Sequence, residues 1–243
     1  MGDEKLSVVI PAYNEERYIG ALLEKVLAAD LGRPGLAREV IVVDDCSTDR
    51  TAEIAAGFVG VIVHRRPRNA GKGEAVKTGI RLASGEYLII QDADLEYDPR
   101  DYAPMLEALI EGRLDAVYGS RYLQGDQTGP YGGLPTGKHP GQTWPAYLGG
   151  RSLSLVAWLL LGRYLTDTVT ALKLFRTEVV KPLDLSTRGF ELDHEISAKL
   201  LARGCRIGEV PIRYFPRSRA EGKKIGLGDW FRAVYTFARY RSG

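Results

Sequence analysis

Apolar positions in the first half of the chain come in short runs separated by stretches of helical spacing. The runs "LSVVIPA" (6–12), "REVIVVDD" (38–45), "GVIVHRR" (60–66), "EYLIIQDAD" (86–94) and "DAVYGSR" (115–121) are β-branched or apolar and end in polar or charged residues, the signature of strands. Between them, "NEERYIGALLEKVLAA", "STDRTAEIAAGF", "GKGEAVKTGIRLA" and "PRDYAPMLEALIEG" repeat their apolar positions with helical spacing, with Ser47 and Thr48 as caps and Pro99 near a first turn. Strands alternating with helices predict an α/β fold, a mostly parallel sheet with helices on both faces. In such sheets ligands bind outside the carboxyl ends of the strands.

After Tyr122 the pattern breaks into a Gly/Pro-rich stretch, "LQGDQTGPYGGLPTGKHPGQ", longer than an ordinary connection and expected to be a mobile loop over 123–143. Trp144 to Leu165 is helical and apolar; a core helix is the first expectation, a helix with one face on lipid the second. "GFELDHEISAKLLARG" reads as an amphipathic helix and "CRIGEVPIRYFP" as a strand. The 243 residues fit a single domain, with residues 1–122 as one half and 123–243 as the other.

One strand carries a conspicuous tail. In "YLIIQDADLEYDP" an apolar run meets Asp92, Asp94 and Glu96. In an extended chain residues i, i+2 and i+4 share a face, so this spacing predicts three carboxylates side by side, a repulsive arrangement unless a cation lies between them. The other strand ends are polar too. "PAYNEE" follows the first, "VVDDCSTD" ends the second and "RNAGKGEA" precedes a helix. Each has a plain structural reading: Asp44 and Asp49 as helix caps, Glu15 and Glu16 as first-turn acids, Asn69 to Gly73 as a turn. Neither GxGxxG after the first strand nor GxxxxGK[ST] occurs, which disfavours a dinucleotide-binding dehydrogenase and a P-loop NTPase. Lys72 between two glycines at a helix start can still approach a diphosphate, and Mg²⁺ is typically held by one or two carboxylates together with phosphate oxygens.

The net charge is only +2, but from Arg203 onward ten basic residues face Glu209, Glu221 and Asp229. A basic end of this kind suits an anionic substrate or a membrane surface; without interleaved aromatics on a recognisable module, nucleic acid is not expected as a partner. Cys46 and Cys205 lie far apart and outside any CxxC pattern, which suggests reduced thiols rather than a disulfide or zinc site. The start lacks a signal-peptide pattern and "LSLVAWLLL" is too short to span a bilayer. A cytoplasmic protein, at the inner face of the membrane, is the expectation.

The order PAYNE, DDxSxD, NxGKGxA, DxD, GSR resembles a family 2 glycosyltransferase with the GT-A fold, in the branch of polyprenyl and dolichyl phosphate mannose or glucose synthases; "LTDTVTALKLFR" and "GFELDHEISAKLLARGCRIGEVPIRYFPRSRAEGKKI" are similar to that branch's later segments. The resemblance implies that Pro11, Tyr13, Glu15 and Asp45 hold the base and ribose of a nucleotide sugar, with Lys72 near its phosphates and Asp92 and Ala93 beside it. It implies that Asp92, Asp94 and Glu96 bind Mg²⁺ or Mn²⁺, Glu96 standing where some relatives carry Gln. Arg121, Arg217, Arg219, Lys223 and Lys224 would face an acceptor phosphate. Asp94, Arg121 and Asp167 are the candidate catalytic residues.

A hydroxyl acceptor needs a base as it attacks, whereas a phosphate acceptor is already anionic and needs a cationic clamp. "RSRAEGKK" offers the clamp, which favours a phosphate. Asp167, Glu191, Asp193 and Glu195 are the candidate bases if the acceptor is a hydroxyl. The leading expectation is metal-dependent, inverting transfer of a hexose from GDP-mannose or UDP-glucose to a polyprenyl phosphate by a peripheral membrane enzyme, with Trp144, Trp158 or Trp230 as membrane contacts. The alternatives are a soluble small-molecule acceptor and a catalytically dead nucleotide-sugar-binding protein.

Overall fold

A computed structural model describes residues 4–123, 142–216 and 227–241. In chain order it has β1 (Lys5–Ala12), α1 (Ile19–Ala28), β2 (Ala37–Asp44), α2 (Thr51–Ala56), β3 (Val61–Arg65), α3 (Lys72–Leu82), β4 (Tyr87–Ile90), α4 (Tyr102–Glu111), β5 (Ala116–Ser120), α5 (Trp144–Leu161), β6 (Lys173–Arg176), α6 (Thr177–Val180), α7 (Leu192–Ala202), β7 (Ile207–Pro211) and α8 (Leu227–Tyr240). The strands form one sheet in the order β3-β2-β1-β4-β6-β5-β7. All neighbours are parallel except β6, which runs antiparallel to both β4 and β5. The expected α/β architecture is therefore present, with one strand that periodicity did not signal.

The central strands are apolar at successive positions because both faces are covered. In β4, Tyr87 and Ile89 join the core with α1 and α4, while Leu88 and Ile90 join the core with α3 and α7. The same period-two division holds in β2, with Val40 and Val42 on one side and Ile41 and Val43 on the other. A third, smaller core lies outside these layers, where Leu153 and Ala157 of α5, Ala198 of α7, and Ala233 and Phe237 of α8 meet.

Two helices differ from expectation. α5 is not a core helix. It buries Leu153, Ser154 and Ala157, which meet α7 and α8 in the small third core, and leaves Trp144, Leu148, Leu155, Trp158 and Leu159 exposed. α7 is not amphipathic: all its residues from Leu192 to Leu200 are buried, since the sheet lies on one side and α5 and α8 on the other. Its Asp193, Glu195 and Lys199 are retained there by ion pairing.

Candidate active site

The acid-rich tail does not continue as a strand. β4 ends at Ile90, and Asp92 to Glu96 form a turn in which Leu95 has φ 61°. Strand alternation therefore does not align the three carboxylates, and each has its own partner. Asp92 accepts from Lys72 Nζ at 2.6 Å, Asp94 Oδ1 accepts from the Glu96 amide at 3.1 Å, and Glu96 Oε2 accepts from the Tyr214 hydroxyl at 2.6 Å. Among the described residues no cluster of three acids, histidines or cysteines is placed to hold a metal. The donor set nonetheless fits a hard cation that brings its own phosphate oxygens, because such an ion needs only one or two carboxylates from the protein.

Lys72 enters this site from the first residue of α3. Gly71 has φ 99°, and Cβ atoms placed on Gly71 and Gly73 would come within 2.6 Å of the Arg188 carbonyl oxygen and 2.7 Å of its carbon. Both glycines are needed for this close approach, which the Gly73 N–H completes by donating to the Arg188 carbonyl at 2.7 Å. A second carboxylate, Asp193, lies 3.7 Å from Lys72 Nζ and 3.2 Å from Nζ of the fully buried Lys173. Burial opposes the Lys72 charge, but Asp92 and Asp193 outweigh it and raise the pKa above the ordinary lysine value. Burial likewise works against ionised Asp193, and the two ammonium groups overcome it, holding its pKa below the usual carboxylate range.

The polar residues after β1 and β2 fasten one loop to another. Asn14 Oδ1 accepts from the Thr48 amide at 2.8 Å, Thr51 Oγ1 accepts from the Glu15 amide at 2.8 Å, and Asp49 accepts from the Glu16 amide at 3.1 Å. Asp45 is buried and accepts from the amides of Ala70 at 3.1 Å and Gly71 at 2.7 Å, and from Arg66. It ties the glycine turn before α3 to the end of β2. Pro11 is buried at the end of β1 and Ala93 is packed into the α1/α4 core, whereas Tyr13 is exposed.

Across the sheet, Arg121 follows β5 and pairs with Asp167 through two bonds, Nε to Oδ2 at 2.6 Å and an Nη to Oδ1 at 2.8 Å. Both side chains are nearly enclosed. The guanidinium also lies 5.0 Å from the centre of the Tyr214 ring, and Tyr214 packs against Tyr97. Burial disfavours ionised Asp167, but Arg121 more than compensates and lowers its pKa. Glu209 then holds the segment from below by accepting from the Thr166 and Asp167 amides at 2.8 and 3.0 Å. Arg217, Arg219, Lys223 and Lys224 lie outside the described residues, as do most positions of the 123–143 loop.

Lys72, Asp92, Asp193, Arg121 and Asp167 are thus gathered at the carboxyl-end edge of the sheet, while Lys173, Tyr97 and Tyr214 were not anticipated. Lys173 pairs in register with Ile90, the last residue of β4, and only the antiparallel insertion of β6 brings it there. Its sequence signals were its place at the start of an apolar "KLF" run and inside the segment "LTDTVTALKLFR".

The glycosyl transferase family 2 model matches residues 7–181. The chain belongs to this family. It is 31% identical over 97% of its length to a dolichol-phosphate mannosyltransferase of Pyrococcus furiosus. It is 32% identical over 98% of its length to a dodecaprenyl-phosphate galacturonate synthase of Rhizobium johnstonii. It spans 64% of the first protein's length and 68% of the second's. Among solved structures, glucosyl-3-phosphoglycerate synthase from Mycobacterium tuberculosis, crystallised with Mn²⁺, uridine diphosphate and glucosyl-3-phosphoglycerate, matches 98% of this family 2 chain and 80% of its own. The TM-score is 0.68 at 23% identity, a likeness of fold, and that fold is the GT-A type.

Proposed function

We propose that this protein transfers a hexose from a nucleotide sugar, GDP-mannose or UDP-glucose, to a polyprenyl or dolichyl phosphate at a membrane surface. The carrying observation is that Asp167 and Asp193 are both buried, ion-paired and lowered in pKa. A general base works best with a pKa near the operating pH, so these carboxylates suit a counter-ion role. An acceptor that is already an anion needs no base.

In this reading Lys72 approaches the donor's diphosphate from the start of α3, with Asp193 on its other side. Asp92, Asp94 and Glu96 would hold Mg²⁺ or Mn²⁺ with the phosphate oxygens, and Glu96 also accepts a hydrogen bond from the Tyr214 hydroxyl. The bound cation supplies charge that stabilises the leaving diphosphate. Arg121, oriented by Asp167, presents fixed positive charge toward the acceptor phosphate, and Arg217, Arg219, Lys223 and Lys224 extend that clamp. Pro11, Tyr13, Glu15, Asp45 and Ala93 form the nucleoside side, with Asp45 contributing by shaping the turn that carries Lys72. The names of the two curated relatives, which specify lipid phosphates, support the acceptor class.

The outward faces of α5 and α8 support membrane contact. Trp144, Leu148, Leu155, Trp158 and Leu159 on α5, and Phe231 and Tyr235 on α8, are exposed, and Arg232 and Arg239 belong to α8. An apolar face bordered by cations suits an anionic lipid interface. Trp230 is half-buried and donates to Ser152 Oγ at 2.9 Å, so it joins α8 to α5. Among the described residues no helix is long and apolar enough to cross a membrane.

The test is a transfer assay with UDP-glucose and GDP-mannose, Mg²⁺ or Mn²⁺, and either a polyprenyl phosphate in liposomes or soluble phosphoglycerate as acceptor. Product on the lipid alone is expected. Product on phosphoglycerate alone would replace the acceptor class, and tight donor binding without any transfer would indicate a binding protein.

A further inference from the structure

We infer that Phe190 is the platform on which the hexose of the donor stacks; this deepens the proposed function and rests on it. Phe190 is 61% exposed, and its ring centre lies 5.5 Å from Lys72 Nζ. The ring stands beside the lysine assigned to the diphosphate.

The ring's backbone is held on both flanks. Before it, Glu195 accepts from the Ser186 and Thr187 amides at 2.9 and 2.8 Å, and the Arg188 carbonyl accepts from Gly73 N–H at 2.7 Å. Gly189 N–H donates to Glu191 Oε1 at 3.1 Å, and a Cβ at Gly189 would lie 2.6 Å from the other Glu191 carboxylate oxygen. After it, the Phe190 carbonyl accepts from the Asp193 amide at 3.3 Å. Phe190 therefore sits on a segment fastened directly to the glycine turn of Lys72.

The chemistry of the donor matches that placement. The anomeric carbon is bonded to an oxygen of the distal phosphate, so a group adjoining a phosphate-contacting lysine adjoins the sugar. One face of a hexose presents C–H bonds, and an aromatic face accepts such a surface while leaving the hydroxyls at the ring's edge to polar partners. The nucleobase lies at the other end of the donor, next to the β1 and β2 loops. Phe190 should consequently distinguish a nucleotide sugar from the bare nucleoside diphosphate.

Calorimetric titration of wild type, Phe190→Ala and Phe190→Tyr with UDP-glucose, GDP-mannose, UDP and GDP in the presence of Mn²⁺ tests this, with melting temperatures recorded alongside. Phe190→Ala is expected to weaken the nucleotide sugar about tenfold, the scale of one aromatic stacking contact, and to leave the matching diphosphate within about twofold. Phe190→Tyr should bind as wild type does. An equal loss for sugar and diphosphate, or no loss for either, overturns the inference. Wild-type protein that binds the diphosphate and sugar forms of neither nucleotide overturns the proposed function, and the inference with it.

Discussion

Around the ends of β1 and β2, polar side chains spend their hydrogen bonds on the backbone of the next loop; across the outer faces of α5 and α8, large apolar side chains point into solvent. Asn14, Asp45, Asp49 and Thr51 all accept from main-chain amides of neighbouring segments, so the side proposed to take the donor is a locked scaffold. On the other side Trp158, Leu159 and Phe231 are exposed, and the helices meet over a small core. A hydrogen bond satisfies a polar group in place, whereas an exposed apolar face is satisfied by something outside the chain. The rigid side suits a small donor that must be oriented, and the apolar side suits a lipid.

The contrast is most exposed to failure at Asp167. Asp167→Ala leaves the Arg121 charge buried and unpaired, and should destabilise the fold by about 3–5 kcal/mol in urea unfolding. A loss below about 1 kcal/mol would show that the ion pair is not part of the scaffold. Asp94→Ala should leave the melting temperature near wild type while reducing transfer by more than about a hundredfold, roughly 3 kcal/mol of transition-state stabilisation. Retained turnover in that variant, or in wild type with EDTA, would remove the metal from the mechanism.

A third effect sharpens the comparison where α7 meets α8. His194 on α7 packs edge-on against Phe237 of α8, and burial, with Lys173 nearby, lowers its pKa to about 4. The unfolded chain binds this proton more tightly than the folded one between about pH 6.5 and 4. This contribution is present above pH 6.5 and is lost as pH falls toward 4, by up to about 3 kcal/mol. Asp101 acts oppositely over part of the same window, because burial raises its pKa to about 6 and its folded state binds the extra proton. The informative quantity is the difference between wild type and His194→Leu: the variant should lose less stability between pH 6.5 and 4, and parallel curves would overturn the assignment.

The smallest effect on folding belongs to the outer face. Trp158→Ser with Leu159→Ser should change stability by no more than about 0.5 kcal/mol while reducing co-sedimentation with anionic liposomes. Unchanged sedimentation would take the apolar face out of the account.

Much of the candidate site's framework was legible because local rules produce it. Alternating strand and helix patterns located the sheet's carboxyl ends, and the glycines around Lys72 marked a turn at a helix start. The carboxylates were harder to read. Period-two spacing aligned Asp92, Asp94 and Glu96 on paper, but Leu95 takes a positive φ and turns the backbone after β4. α5 misled for a different reason, since an apolar helix has the same composition whether it is enclosed in a core or has one face exposed.

By itself the sequence determined the α/β class, the family, and the residue types delivered to the strand ends, because periodicity and motif order are properties of neighbours along the chain. Only the tertiary structure decided which charges meet. Asp167 reaches Arg121 across 46 positions, Asp193 reaches Lys173 across 20, and the latter meeting depends on β6 entering the sheet antiparallel. Ion pairing and burial are set by distance in space, which sequence separation does not encode.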